Sequence, residues 1–164
     1  GKQLAEMCEA EAEQELVLRG TTLCWDKCLD IARRKTGSLF AFSACLCGGL
    51  NKEMSAALLE AGYRIGTAYQ IADDMLDVYG SPDIAGKTLG NDAFSGKMTV
   101  ASVRFRKEHD ISACIYKLCA SSTEFLNPWP PVAEKWQEYL SIDFLPVISE
   151  LAGTTDNCQA LAEQ

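Results

Sequence analysis

A run of eight residues, from Gln70 to Asp77, constrains this chain more than any other stretch, because it places three carboxylates within five residues of a predicted long helix. At about 100° of rotation per residue, Asp73, Asp74 and Asp77 fall within one sector of that helix, with Gln70 between them. Like charges one turn apart destabilise a helix by about 0.2–0.5 kcal/mol per pair. A positive group bound to this sector would explain the cluster, whereas the motif taken alone favours a solvated acidic face.

The ligand chemistry of this cluster and the segment that follows it point in the same direction. Carboxylate oxygens without a neighbouring histidine or thiolate suit Mg²⁺, which commonly bridges carboxylates to substrate phosphates. Downstream lie three glycine-containing elements: Gly86-Lys87-Thr88, Gly90-Asn91-Asp92 and Gly96-Lys97-Met98-Thr99. A glycine backbone can approach an oxyanion closely, and lysine presents ammonium donors to it. Carboxylates for the metal followed by lysines for the phosphate are what a magnesium–diphosphate site requires.

With these motifs in view, the sequence resembles the trans-isoprenyl diphosphate synthases (polyprenyl synthetase family) over residues 1–100, matched to their C-terminal half. The match is to the second aspartate-rich motif of the family and the Gly-Lys, Gly-x-Asp and Gly-Lys-x-Thr elements after it. The resemblance implies an all-α helical bundle like the C-terminal half of the isoprenoid synthase fold. It also implies that Asp73, Asp74 and Asp77 hold Mg²⁺, the expected cofactor.

The resemblance implies further site residues. On the family's corresponding helix, a lysine contacts the allylic diphosphate and the threonine after it lies beside the reacting chain. Here these residues are Lys35 and Thr36. Gln70, Lys87 and Lys97 complete the expected site. The implied reaction ionises an allylic diphosphate, which then condenses with isopentenyl diphosphate.

Composition limits the other classes of function. The 164 residues suffice for one domain, and a net charge of −8 argues against nucleic acid or anionic membranes as partners. Eight cysteines without a C-x-x-C pair, and His109 as the single histidine, make a zinc site unlikely and favour buried free thiols in a reducing compartment, which we take to be the cytoplasm. No apolar run is long enough to span a membrane.

Periodicity and breakers predict an all-α chain of several helices. The first covers residues 1–19 with a solvated face of glutamates, the second 23–46 up to Gly48, and the third 52–79 with Asn51 as its cap. Shorter helices are expected at 99–107, at 111–120 after Asp110, around Trp136 and around Ile148 and Leu151, with a proline-rich break at 127–131. We divide the chain into the family-like region 1–125 and C-terminal helices of the same domain at 126–164.

The chain carries one aspartate-rich motif, whereas the family has two on facing helices. We therefore expect it to act within a longer chain or a homo- or hetero-oligomer, and to be inactive alone. The stripe of Ile65, Tyr69 and Leu76, with Phe40 and Phe42, is expected to stay exposed towards the missing wall. Two alternatives are a non-catalytic or regulatory partner subunit, favoured by the departure from the family pattern at residues 100–102, and a terpene cyclase fragment.

Overall fold

A computed structural model describes residues 1–79, 89–90, 95–101, 103 and 111–148. Throughout these residues the regular structure is helical and no strand occurs, which confirms the all-α class. Residues 80–88, 91–94, 102, 104–110 and 149–164 lie outside the description, and with them Lys87, the expected cap Asp110, and Leu151. Most of the helix expected at 99–107 falls there too, and in its described part a backbone hydrogen bond of 3.2 Å joins Val103 N to Thr99 O.

The first two predicted helices are confirmed, and each contains a π-helical turn, which is wider than an α-helical one. Helix α1 spans Lys2–Ala12 and continues through a π-helical turn, Glu13–Val17, before Gly20 turns the chain with φ 73°. Helix α2, Trp25–Ala32, runs through a second π-helical turn, Arg33–Gly37, directly into α3, Ser38–Cys47. Single π turns inside helices are often found at functional sites. The second of these turns, Arg33–Gly37, carries Lys35 and Thr36.

Helix α4, Lys52–Tyr79, is the central helix, and the sequence prediction of both its bounds and its cap is confirmed. Asn51 Oδ1 accepts a hydrogen bond of 2.9 Å from Met54 N, which satisfies one of the amide groups left open at a helix start. Gly62 and Gly66 lie where α4 crosses α3. A Cβ at Gly62 would stand 2.6 Å from Ala41 Cα, and a Cβ at Gly66 would stand 2.8 Å from Gly37 Cα. Glycine is therefore required at both positions for this close approach.

Two further helices pack against α4 and close the core. Helix α5, Ile111–Glu124, extends four residues beyond its predicted end, and α6, Pro130–Tyr139, begins within the predicted proline-rich break. A π-helical turn, Leu140–Phe144, follows α6 and leads into helical residues 145–148. Trp136 Nε1 donates a 2.9 Å hydrogen bond to the buried Ser122 Oγ, which ties α6 to α5. The division at residue 125 falls in the turn between these helices and stays a prediction.

The expected open apolar stripe is partly wrong. Ile65 and Leu76 are only 3% and 6% exposed, and Ile65 belongs to the core cluster that α4 shares with α5. Tyr69 and Phe42 do remain at the surface, at 39% and 36% exposure. Phe40 is partly buried, with its ring centroid 5.6 Å from that of Tyr69. The stripe divides because Ile65 packs into the core cluster, whereas Tyr69 lies beside Phe40 near the surface.

Seven cysteines lie in the described residues, and all are free thiols. The expectation that they are buried holds for Cys28 and Cys119, whereas Cys8, Cys24 and Cys47 are exposed. Of the helices in the described part of the chain, none is long and apolar enough to cross a lipid bilayer.

Candidate active site

The π-helical turn before α3 and the C-terminal half of α4 bring three predicted site residues into one hydrogen-bonded line. Thr36 Oγ1 donates to Gln70 Oε1, and Gln70 Nε2 donates to Asp74 Oδ1 at 2.7 Å. The close approach of Gly37 to Gly66, one turn before Gln70, permits these short side chains to meet. Gln70 is thereby oriented at both ends of its amide, and it links the threonine to the aspartate-rich motif.

A small cavity lies beside this line of hydrogen bonds. Its volume of about 20 Å³ has room for about one water molecule. The lining comes from the two π-helical turns, α2, α4 and the segment 98–99: Gln14, Cys28, Ile31, Ala32, Lys35, Gln70, Asp74, Met98 and Thr99. Three residues that the sequence placed in the site, Lys35, Gln70 and Asp74, therefore face one space.

Two of the three predicted lysines meet at the same place. Lys35 Nζ lies 2.7 Å from Glu11 Oε2 and donates a 3.3 Å hydrogen bond to Gln14 Oε1. Lys97 Nζ lies 3.6 Å from Glu11 Oε1 and forms a second ion pair with Glu15. The lysines thus converge through the carboxylate of Glu11, although 62 positions separate them in the sequence.

The charge state of Glu11 follows from these contacts. Partial burial raises the pKa of Glu11, but the hydrogen bond and charge of Lys35, and then those of Lys97, outweigh it and bring the pKa below its ordinary value of 4.5. Glu11 is therefore a carboxylate at neutral pH, and it balances part of the positive charge of the two lysines.

The expectation of a solvated glutamate face on the first helix is wrong for four residues. Besides Glu11 and Glu15, Glu13 contacts Lys27 Nζ at 2.6 Å and pairs with Arg34, and Glu6 accepts a hydrogen bond from the Tyr63 hydroxyl. Glu11 and Glu13 pair with the basic stretch at residues 27–35. Glu6 instead contacts α4, and Glu15 contacts Lys97. One signal was available in the sequence: the 3.6-residue period places Glu11, Gln14 and Glu15 on one face of the helix.

Asp74 and Asp77 are buried, at 6% and 8% exposure, and Asp73 is partly buried. Their oxygen ligands have the chemistry that Mg²⁺ prefers. However, among the residues that the structure describes, no three carboxylate, thiol or imidazole side chains are grouped so that they could hold a metal ion. The metal-binding role of the three aspartates stays a prediction, as do the roles of Lys35, Thr36, Gln70, Lys87 and Lys97.

Cys28 forms part of the cavity wall next to Asp74. Burial, and then the negative charges of Asp74 and Cys24, raise the pKa of the Cys28 thiol to about 12. The thiol therefore stays protonated near neutral pH and acts as a small apolar wall residue, because the thiolate is the form that attacks electrophiles or binds metal.

Comparison with known proteins yields a family model and several relatives. The family model "Polyprenyl synthetase" matches residues 2–124. A (2E,6E)-farnesyl diphosphate synthase of Mycobacterium bovis is 35% identical over 98 residues, which are 58% of this chain and 27% of the relative. A short chain isoprenyl diphosphate synthase of Methanocaldococcus jannaschii is 33% identical over 112 residues, 66% of this chain and 34% of the relative.

Solved structures share the fold along nearly the whole chain. The geranylgeranyl pyrophosphate synthetase of Pyrococcus horikoshii aligns with a TM-score of 0.55 and 25% identity, over 95% of this chain and 49% of the other. The polyprenyl synthetase of Streptomyces coelicolor aligns with a TM-score of 0.57 and 23% identity, over 97% of this chain and 48% of the other. The chain thus spans about half the length of these solved structures, and its aligned part spans about a third or less of the curated relatives.

Proposed function

Because the chain belongs to the polyprenyl synthetase family, we propose that the site formed by the π-helical turn before α3 and by α4 binds the diphosphate of an allylic substrate for condensation with isopentenyl diphosphate. The observation that carries this proposal is that Lys35, Gln70 and Asp74 line one cavity, and that Thr36 donates a hydrogen bond to Gln70 beside it. The relatives named above are diphosphate synthases or synthetases, which supports chain elongation over cyclisation.

Each group of side chains has a role that follows from its chemistry. Asp73, Asp74 and Asp77 would hold Mg²⁺, which when bound neutralises negative charge on a departing diphosphate. Lys35 and Lys97 donate from their ammonium groups to diphosphate oxygens, where negative charge develops during ionisation. The Thr36–Gln70 hydrogen bond orients Gln70 towards Asp74 and so holds the carboxylate in place.

We also propose that this site is one wall of a two-walled active site. The chain carries a single aspartate-rich motif and aligns with about half of each solved relative named above. Beside the site, the apolar side chains on the outer face of α3 are exposed: Leu39, Phe42, Leu46 and, just beyond the helix, Leu50. A second wall that supplies another carboxylate motif would cover such a surface, so we expect activity only within a longer chain or an oligomer.

Sedimentation and a prenyl-transfer assay on the purified 164 residues test this incompleteness. We expect self-association, or binding to a chain that carries the first aspartate-rich motif, and no condensation of allylic and isopentenyl diphosphates by the chain alone. A well-behaved monomer that condenses the two substrates would refute the two-walled arrangement. If condensation occurs only when a partner chain is added, and continues when Lys35 of this chain is replaced, the alternative of a non-catalytic or regulatory subunit is favoured. We place this protein in the cytoplasm, which the free thiols of the described cysteines support.

The metal assignment is tested by calorimetric titration of the chain with inorganic pyrophosphate, with and without Mg²⁺. We expect binding that requires Mg²⁺ and is weakened by Asp73→Ala. The matched control is Asp26→Ala, which removes the same charge from an exposed position on α2. Equal affinities in the wild type and Asp73→Ala would remove Asp73 from the metal site.

A further inference from the structure

The carboxylate of Glu11 lies between two lysines that come from distant parts of the chain. One oxygen is 2.7 Å from Lys35 Nζ, and the other is 3.6 Å from Lys97 Nζ. Two ammonium groups on either side of one carboxylate repel each other, and the shared negative charge offsets that repulsion. Glu11 belongs to α1, which none of the motifs recognised in the sequence includes.

The surroundings of Glu11 show that α1 is built to hold this arrangement. Gln14 is 5% exposed, its Oε1 accepts from Lys35, and its Nε2 donates to Met98 O at 3.5 Å. Just after α1, Gly20 N donates to Gly96 O at 2.8 Å. One face and the end of α1 therefore contact both the lysine of the π-helical turn and the short segment that carries Lys97.

We propose that Glu11 is a positioning residue, whose carboxylate holds the ammonium groups of Lys35 and Lys97 side by side so that one diphosphate meets both. The inference rests on the proposed function, because it assigns Glu11 a task in that same site. It opposes a simpler view in which Glu11 is only a nearby negative charge that competes with the anionic substrate for the lysines.

The two views predict opposite signs for Glu11→Gln. This variant removes one negative charge, so competition alone would tighten the binding of pyrophosphate. If positioning dominates, Lys35 loses its ion pair and moves away from Lys97, which Glu15 still holds, and binding weakens. We expect a loss of about tenfold in affinity, which corresponds to about 1.4 kcal/mol. The measurement is calorimetric titration with inorganic pyrophosphate and Mg²⁺ at fixed ionic strength. Glu9→Gln, which removes the same charge from an exposed position of α1, serves as the control and should not weaken binding.

A charge-relocation variant separates positioning from folding. In the double variant Glu11→Gln with Gln14→Glu, the carboxylate moves to the position whose side-chain oxygen already lies 3.3 Å from Lys35 Nζ. We expect it to restore most of the affinity that the single variant loses. Unfolding temperatures of both variants are measured in parallel. The proposal is contradicted if the single variant loses affinity, the double variant does not restore it, and neither changes in stability.

A measurement without ligand keeps the inference distinct from the proposed function. Nitrogen-15 NMR of the lysine side chains should show slow hydrogen exchange for the Lys35 ammonium group in the wild type, and fast exchange in Glu11→Gln. Glu11→Asp, which keeps the charge on a shorter arm, covers the case in which the glutamine variant does not fold. Unchanged exchange in the folded variant, or tighter pyrophosphate binding, would overturn the positioning role. A wild type that binds no pyrophosphate counts against the proposed function alone, because the exchange measurement still decides the role of Glu11.

Discussion

Replacing Gly62 by alanine tests how the two helices that carry the site are held together. A Cβ at this position would lie 2.6 Å from Ala41 Cα and 2.7 Å from Phe40 O. Ordinary contacts begin at 3.4 Å, which is 0.8 Å further than 2.6 Å. Both contacting atoms belong to the backbone of α3, so a side-chain rotation cannot relieve the overlap, and α3 must move away from α4.

The expected magnitude follows from two opposing effects. Overpacking a core costs about 1–3 kcal/mol, and a direct backbone contact places this substitution near the upper end. Alanine is more favourable than glycine inside a helix by about 1 kcal/mol, which offsets part of that cost. We therefore expect a net loss of about 2 kcal/mol, which for a chain of this length lowers the unfolding temperature by about 4–8 °C.

Thermal unfolding followed by circular dichroism measures this effect. All variants are compared at one protein concentration, because self-association makes the unfolding temperature concentration-dependent. Ala56→Gly, at an exposed position of the same helix, is the control for helix propensity alone and should cost about 1 kcal/mol. A Gly62→Ala variant that unfolds at or above the temperature of the wild type would refute the close-packing argument.

Three other predictions concern the site, the ion pairs and the thiols. In an enzyme completed by the first aspartate-rich motif, Lys87→Ala should lower kcat/KM for the allylic diphosphate at least about tenfold, and an effect confined to the unfolding temperature would make the lysine structural. Hydrogen bonds from a lysine and then an arginine hold the pKa of Glu13 below 4.5, so the stability they contribute is present above pH 4.5 and is lost as the pH falls through the folded-state pKa. Urea unfolding should therefore show Glu13→Gln less stable than the wild type at neutral pH and equal to it in acid. Burial raises the pKa of Cys28 to about 12 and that of Cys119 to about 11. Iodoacetamide in mild alkali should therefore label the exposed Cys8 before these two thiols, as read by mass spectrometry, and equal labelling would contradict their burial.

Much of the helical framework could be predicted from the sequence, because its signals act over a few residues. The cap of α4 joins Asn51 to Met54, and α3 ends before Gly49, which takes a positive φ of 58°. The start of α6 at Pro130, inside the predicted break, was missed, although a proline lacks an amide hydrogen where a helix start needs none. The family resemblance was confirmed by the match over residues 2–124. The fold class and the family thus followed from local patterns and a motif.

The candidate site could be predicted in part. The family resemblance named Lys35, Thr36, Gln70 and Asp74. In the tertiary structure Lys35, Gln70 and Asp74 line one cavity, and Thr36 contacts Gln70 through a hydrogen bond. How the groups contact one another was not visible in the sequence, since the Thr36–Gln70 hydrogen bond depends on the crossing of α3 and α4 at their glycines.

The residues that the sequence left out are those whose role depends on a neighbouring helix. The 3.6-residue period placed Glu11 and Gln14 on one face of α1, but it does not reveal what packs against that face, and a solvated face was the wrong interpretation. The same limit applied to Ile65 and Tyr69, which share a predicted stripe although the first is buried in the core cluster and the second is exposed. A helix is formed by contacts three and four residues apart, and the sequence determines those directly. The partner of each face is determined only when helices distant in the chain come together, and there the tertiary structure decides which charges pair and which apolar side chains are buried.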